Sequence, residues 1–184
     1  VTLQDLKKEE ELGDVSHLKN QGIELYLGSN PDDIVTDFDF VVLSPGIPCD
    51  LPFIFKAREA NIPVISEVEL SYRLTPCPIA AITGTNGKTT TTTLAGEMFK
   101  TQYKNCAVVG NIGVPYSSEV ERLTKDDYVV AEISSFQIET AVEFHPHISA
   151  VLNITPDHLN RHKTLENYIS MKERVFAKQD ENDY

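Results

Sequence analysis

Residues 79–93 read Ile-Ala-Ala-Ile-Thr-Gly-Thr-Asn-Gly-Lys-Thr-Thr-Thr-Thr-Thr, and their order decides the fold. An apolar run with β-branched residues, from Ile79 to Thr83, ends at Gly84. Gly87, Lys88 and Thr89 follow within one tight turn, and then come residues with helical spacing. Strand, glycine turn and helix in that order suit a phosphate-binding loop. Glycines let backbone N–H groups approach phosphate oxygens, and the helix N-terminus adds the positive end of its dipole. In this reading Gly84, Thr85, Asn86, Gly87, Lys88, Thr89 and Thr90 cradle a nucleotide. Lys88 reaches the outer phosphates and the Thr89 hydroxyl sits on Mg²⁺. Ile82 stands where the standard pattern has its first glycine, so the loop is a compact variant. Taken alone, the same residues also fit an ordinary glycine turn.

The 184 residues carry 16 Lys and Arg against 28 Asp and Glu, a formal charge of −12. No basic cluster is longer than Lys7-Lys8, which argues against nucleic acid or an anionic membrane as partner. A polyanionic ligand must then be held locally, by a lysine, helix ends and metal ions. Cys49, Cys77 and Cys106 lack metal-ligand spacing and read as thiols of a reducing cytoplasm. The apolar runs are too short to span a bilayer and no signal peptide is visible, so a soluble cytoplasmic protein is expected.

Along the first part, residues 1–5 predict a strand, 7–20 a helix, 23–27 and 38–43 strands, 53–60 a helix, 62–66 a strand and 67–74 a helix. Strands alternating with helices imply parallel β-α-β units. A nucleotide-binding sheet of this kind normally opens with a strand and a Gly-rich turn ahead of an acidic residue such as Asp5. That opening is missing, which predicts a chain beginning inside its first domain. Thr75-Pro76-Cys77-Pro78 reads as a linker, since two prolines serve neither a central strand nor a helix interior. Beyond it, 79–83, 106–109, 128–133 and 148–154 predict strands, and 89–102, 117–123 and 165–178 helices. The expected class is α/β: a partial Rossmann-like domain over 1–77, then an incomplete P-loop-type parallel-sheet ATPase domain over 78–184.

In open α/β sheets, ligands bind beyond the carboxyl ends of the strands. Four such ends carry polar groups: residues 84–89, Asn111, Glu132 with Ser134 and Ser135, and Asn153 with Asp157 and His158. Glu132 is either a solvated strand-end residue or a Mg²⁺ ligand, and its place beside the loop favours the metal, because hard Mg²⁺ prefers carboxylate and phosphate oxygens. His158 is equally open to loop polarity and to metal binding. Asn111, with glycine before it and two residues after, is first a turn residue that tolerates positive φ. Ser44, Pro45 and Gly46 form a turn first and a ligand contact second. Lys172 sits on an amphipathic helix, where a solvated lysine is the default. His145, His147 and His162 read as structural or surface residues.

Six motifs in order extend the reading: S-P-G-I-P at 44–48, G-T-N-G-K-T at 84–89, G-N-I-G at 110–113, E-I-S-S-F-Q at 132–137, N-I-T-P-D-H-L-N-R-H at 153–162 and Y-I-S-M-K at 168–172. In these the chain resembles the Mur ligases, the ATP-dependent amide-forming family of peptidoglycan synthesis, and within it the branch that adds D-glutamate. The short GTNGK[ST] loop is that family's own form. The resemblance implies that residues 84–89 cradle ATP, Lys88 neutralises the γ-phosphate, and Thr89 and Glu132 hold one Mg²⁺. It implies a second Mg²⁺ at His158 and at Lys172, the latter as a carbamate formed with CO₂. Catalysis then rests on Lys88, Glu132, His158 and Lys172. Asn111, Ser134 and His158 would contact the muramoyl substrate, and Asp5, Ser44, Pro45 and Gly46 the uridine end. Leu6 and Asn160 depart from the family's usual Thr and Asp.

The implied reaction joins D-glutamate to UDP-N-acetylmuramoyl-L-alanine through an acyl phosphate, in a monomer. A sister ligase, including the folate polyglutamate type, is the second reading, against which Ser135-Phe136-Gln137 argues. The third is a nucleotide-binding fragment without turnover. The family's C-terminal domain has no counterpart here, so these 184 residues alone are expected to form no amide.

Overall fold

The computed structural model describes residues 1–184, which fold as two compact units. One comprises residues 1–41 and 48–64, the other residues 42–47 and 65–184.

In the first unit, β1 (Thr2–Asp5) and β2 (Glu24–Leu27) pair in parallel, with Thr2 opposite Glu24 and Asp5 opposite Leu27. The segment between them was expected to be one helix. It forms two short ones, α1 (Glu9–Leu12) and α2 (Ser16–Asn20), because Gly13 takes φ 75° and ends the first. β3 (Val41–Leu43) begins three residues later than its apolar pattern suggested. α3 (Pro52–Glu59) opens on Pro52, whose missing N–H costs nothing at a first helical position. It buries Phe53, Ile54 and Ala57, spaced to share one face. β3 pairs with β4 (Val64–Ser66).

The second unit holds α4 (Glu67–Leu74) and a four-stranded sheet ordered β6-β7-β5-β8, every pair parallel. Its strands are β5 (Ile79–Thr83), β6 (Cys106–Gly110), β7 (Tyr128–Glu132) and β8 (Ile148–Val151). β5 and β7 lie in the middle and are buried along their whole length, which is why they read as unbroken apolar runs. Alternate residues serve opposite faces. Ile79, Ala81, Val129 and Ala131 join a core with Val68, Phe144 and Val175, while Ala80, Ile82, Tyr128 and Val130 meet Ala95 and Phe99. The latter two belong to α5 (Lys88–Phe99), which crosses β6 closely: a Cβ at Gly96 would fall 2.3 Å from Val108 Cγ2.

Four elements differ from expectation. Residues 116–122 form two short 3₁₀ turns rather than one helix. α6 (Ser135–Ile138) and α7 (Leu159–His162) are single turns set by caps, too short to show a period. α8 (Leu165–Glu173) passes into a 3₁₀ turn at Arg174–Phe176. No helix is long and apolar enough to cross a membrane.

Candidate functional site

The loop after β5 is shaped by two glycines. Gly84 has φ 147°, and a Cβ there would lie 3.2 Å from Leu152 Cβ and 3.3 Å from the Asn153 backbone. Gly87, at φ 82°, caps α5 in the left-handed region that glycine enters without strain. Asn153, just beyond β8, holds the loop from outside. Its Oδ1 accepts from the Asn86 N–H and its Nδ2 donates to the Asn86 carbonyl, both at 2.9 Å, while its own carbonyl accepts from the Thr85 N–H at 2.9 Å. Thr85 Oγ1 accepts from the Thr155 N–H at 3.0 Å and lies 3.2 Å from the Tyr168 hydroxyl.

Two lysines converge on one oxygen of this loop. Lys88 Nζ donates to the carbonyls of Gly84 (3.0 Å) and Thr85 (2.9 Å), and Lys172 Nζ donates to the same Gly84 carbonyl at 2.8 Å. Lys172 is 2 % exposed, and its ammonium lies 4.6 Å from the centre of the Tyr168 ring. Burial, and after it the neighbouring Lys88 charge, hold its pKa down at about 8. The default of a solvated lysine therefore does not describe Lys172. Only the fold reveals this, since α8 is amphipathic and its spacing alone suits a surface position.

The end of β7 supplies the carboxylate. Glu132 is 1 % exposed; its Oε2 accepts from Thr89 Oγ1 and its Oε1 from Asn111 Nδ2, each at 2.9 Å. The Asn111 N–H donates to the Glu132 carbonyl at 2.9 Å. Gly110 permits that approach, since a Cβ there would fall 2.2 Å from the same carbonyl oxygen. A carboxylate, a threonine hydroxyl and an amide thus meet at the first turn of α5. They form an oxygen-rich set that fits a hard dication, with Lys88 and the loop N–H groups suited to phosphate.

Ser134 caps α6. Its Oγ accepts from the Gln137 N–H at 3.2 Å and donates to Gln137 Oε1 at 2.9 Å. The S-x-x-Q spacing is a capping-box signature that the sequence already carried. Ser135 Oγ is 2.9 Å from Nε2 of His162, which is buried and has its pKa lowered by that burial. Phe136 stacks on His162 at 5.5 Å and lies 4.9 Å from the His158 ring. His158 is exposed, at φ 52° before α7, with Nε2 3.5 Å from Asp157 Oδ2. Arg161 ties this turn to the 44–47 turn: Nη2 donates to Glu139 Oε2 (2.8 Å) and to the Ile47 carbonyl (2.9 Å). There the Ile47 N–H donates to the Ser44 carbonyl at 3.0 Å, closing a turn through Pro45 and Gly46.

The structure thus brings residues 84–89, Glu132, Asn111 and Lys172 together at the carboxyl edge of the second sheet, with Ser134 and His158 on turns following β7 and β8. Thr90 is exposed on the first turn of α5. Asp5 ends β1 in the first unit, where Oδ1 accepts from the Lys7 N–H at 2.8 Å. Sequence reasoning assigned no role to Asn153 as a clamp, to Tyr168, or to the buried Ser135–His162 pair. An Asn at the carboxyl end of a predicted strand was a usable signal for the first. The other two depend on contacts across 83 and 27 residues, which no local pattern shows.

Residues 82–184 match the Mur ligase middle domain, and residues 2–66 match the Mur ligase MurD-like N-terminal domain. The UDP-N-acetylmuramoylalanine--D-glutamate ligase of Alkaliphilus metalliredigens is 49% identical over 187 residues, covering 100% of this chain and 41% of that protein. The same-named protein of Lachnoclostridium phytofermentans is 52% identical over 160 residues, 87% of this chain and 35% of its own length. The chain therefore spans about two fifths of the length of these relatives. Among solved structures, the UDP-N-acetylmuramate:L-alanyl-gamma-D-glutamyl-meso-diaminopimelate ligase of Neisseria meningitides superposes with a TM-score of 0.60 at 17% identity, over 100% of this chain and 61% of that one. UDP-N-acetylmuramate-alanine ligase MurC of Thermotoga maritima gives 0.51 at 23%, over 95% and 40%. At those identities the two structures speak for the fold alone.

Proposed function

The chain belongs to the Mur ligase family, and on that premise we propose that it carries the ATP-handling part of a ligase adding D-glutamate to UDP-N-acetylmuramoyl-L-alanine. The names of its most similar relatives support that substrate choice. The activity is assigned to the longer protein, because this chain spans about two fifths of those relatives. One observation carries the reading: Lys88 and Lys172 meet on the Gly84 carbonyl while Thr89 and Asn111 meet on Glu132, all at one sheet edge.

In this reading residues 78–184 hold ATP and residues 1–77, with Asp5 and the Ser44–Gly46 turn, serve the uridine end. Gly84, Thr85, Asn86, Gly87 and Thr90 shape the phosphate cradle. Lys88 leaves its two loop carbonyls for phosphate oxygens when the nucleotide binds, an exchange of neutral acceptors for charged ones. Thr89 and Glu132 would hold one Mg²⁺, and His158 with Lys172 a second. Bound Mg²⁺ would supply charge stabilisation for the oxygens of the transferring phosphoryl group. The rest of the work is positioning: the substrate carboxylate takes the γ-phosphoryl group to become an acyl phosphate, and the amine of D-glutamate displaces phosphate. Asn111, Ser134 and His158 would orient the muramoyl part. The complete enzyme is proposed to act as a monomer in the cytoplasm.

The chemistry of Lys172 supports a carbamate. With a pKa near 8, a sizeable fraction of its amine is neutral at physiological pH, and a neutral amine adds to CO₂, forming the N–C bond and releasing a proton. The product keeps an N–H for the Gly84 carbonyl and gains two oxygens for a metal. The deciding assay is ADP release by the complete gene product with UDP-N-acetylmuramoyl-L-alanine and each candidate amino acid. Turnover with D-glutamate is expected. Turnover with meso-diaminopimelate or lysine instead would overturn the assignment.

A further inference from the structure

At the opposite end of the second sheet, His145 and His147 flank Pro146 just before β8, and both face Asp183. His145 Nε2 lies 2.5 Å from Asp183 Oδ2, and His147 Nδ1 lies 3.2 Å from Asp183 Oδ1. Asp180 completes the set: a carboxylate oxygen of it, His145 and Asp183 offer ligand atoms all within 4.8 Å of one another. Its backbone N–H also donates to Asp183 Oδ2 at 2.8 Å, which fixes the carboxylate. These contacts hold Asp183 in its charged form, with a pKa of about 2. The His147 ring is itself braced edge-on by Tyr184, 5.5 Å away. Beside the group opens a cavity of about 300 Å³, lined also by Tyr72, Cys77 and Ile79.

We propose that His145, Asp180 and Asp183 form a binding site for one transition-metal dication of the Zn²⁺ class, with His147 steadying Asp183 through its other oxygen. An imidazole with two carboxylates suits Zn²⁺ or Co²⁺ better than Mg²⁺, which takes oxygen donors alone. Donors about 2.0–2.1 Å from a tetrahedral metal sit about 3.3 Å apart. The His145–Asp183 pair needs to open by about 0.8 Å when the shared proton is replaced by the metal, while His147 stays hydrogen-bonded to the other Asp183 oxygen. The site is separate from the nucleotide loop, with the whole of β5 between them: Ile79 lines the cavity and Thr83 leads into Gly84. Its role is architectural. It pins residues 180–183 to the start of β8, beside the ladder in which Tyr184 N–H donates to the His147 carbonyl and Ser149 N–H to the Tyr184 carbonyl.

The test is titration of the EDTA-treated protein with Zn²⁺ and, for its visible spectrum, Co²⁺. One equivalent should bind, with the d–d bands of a four-coordinate ion, and Zn²⁺ should raise Tm. His145→Ala and Asp180→Ala should each weaken binding at least tenfold, with folding of the metal-free variants checked by circular dichroism. His145→Gln separates metal binding from a hydrogen-bonded clasp, because an amide still donates to Asp183 but is a poor metal ligand. It should keep the metal-free Tm and lose the Zn²⁺-dependent rise. Cys77→Ser and Glu132→Gln should bind Zn²⁺ within twofold of the parent. Absence of saturable binding, survival of binding in both His145→Ala and Asp180→Ala, or its loss in Cys77→Ser or Glu132→Gln would each overturn the proposal.

Discussion

Asn153→Ala tests how far the phosphate loop depends on its clamp. The substitution removes two hydrogen bonds of 2.9 Å, one to the N–H and one to the carbonyl of Asn86. Each is worth about 0.5–1.5 kcal/mol net, so the pair contributes about 1–3 kcal/mol to holding the loop in place. Asn153 is exposed, which puts the value toward the low end. Folding should change little, since the backbone bond from Thr85 N–H to the Asn153 carbonyl remains. The cost should fall on ATP, which needs the loop N–H groups already aimed, and the dissociation constant should rise about 5- to 15-fold. Calorimetric titration of the complete protein with a non-hydrolysable ATP analogue measures it directly. Asn153→Asp is the companion variant: its carboxylate can still accept from Asn86 N–H but faces the Asn86 carbonyl with charge, so affinity should fall there too. If Asn153→Ala binds the analogue within twofold of the parent, the loop is held by its backbone bonds and the clamp argument is wrong.

Three further outcomes are expected. Glu69 is fully buried and its carboxylate accepts from the N–H groups of Val142, Glu143 and Phe144 and from Nε of the half-exposed Arg73, so Glu69→Ala should cost about 2–4 kcal/mol in urea unfolding, mostly from the N–H groups left unpaired; a loss below about 1 kcal/mol would contradict that. Gly96→Ala should destabilise, because a clash with Val108 of about 1–3 kcal/mol outweighs the gain of about 1 kcal/mol in helix propensity, and the same change should be neutral or stabilising in a Val108→Ala background. For Lys172, whose folded pKa of about 8 lies below the unfolded 10.5, the unfolded chain binds more protons between those values. In CO₂-depleted buffer the parent should therefore gain stability relative to Lys172→Met as pH rises from 8 to 10.5, with a constant difference below 8. Parallel denaturation series at pH 7, 9 and 10.5 would show no such rise if the lysine were solvated.

The order of strands and helices was legible because β5 and β7 are buried on both faces and need continuous apolar runs, while α4, α5 and α8 show their starts in Ser66, Gly87 and Thr164. Elements of one turn escaped, since α6 and α7 owe their existence to caps and to neighbours rather than to a period. The turn at 84–89 was legible in the same local sense: two glycines, a lysine and a threonine after a strand constrain backbone shape within six residues. That Glu132 and Asn111 lie on one edge followed from the rule that parallel strands deliver their carboxyl ends together.

What the tertiary structure alone decided is which of those groups touch, and in what environment. Lys172 has the sequence context of a surface lysine, yet α8 lays it beneath the loop, where desolvation and Lys88 lower its pKa and the Gly84 carbonyl accepts its hydrogen bond. His145 and His147 read from sequence as structural or surface residues, and only the return of residues 180–183 to the start of β8 sets Asp183 between them. Local geometry is written in neighbouring side chains, because sterics and hydrogen bonding act over a few residues. Burial, charge proximity and pKa are set by residues tens of positions away, and only folding brings those together.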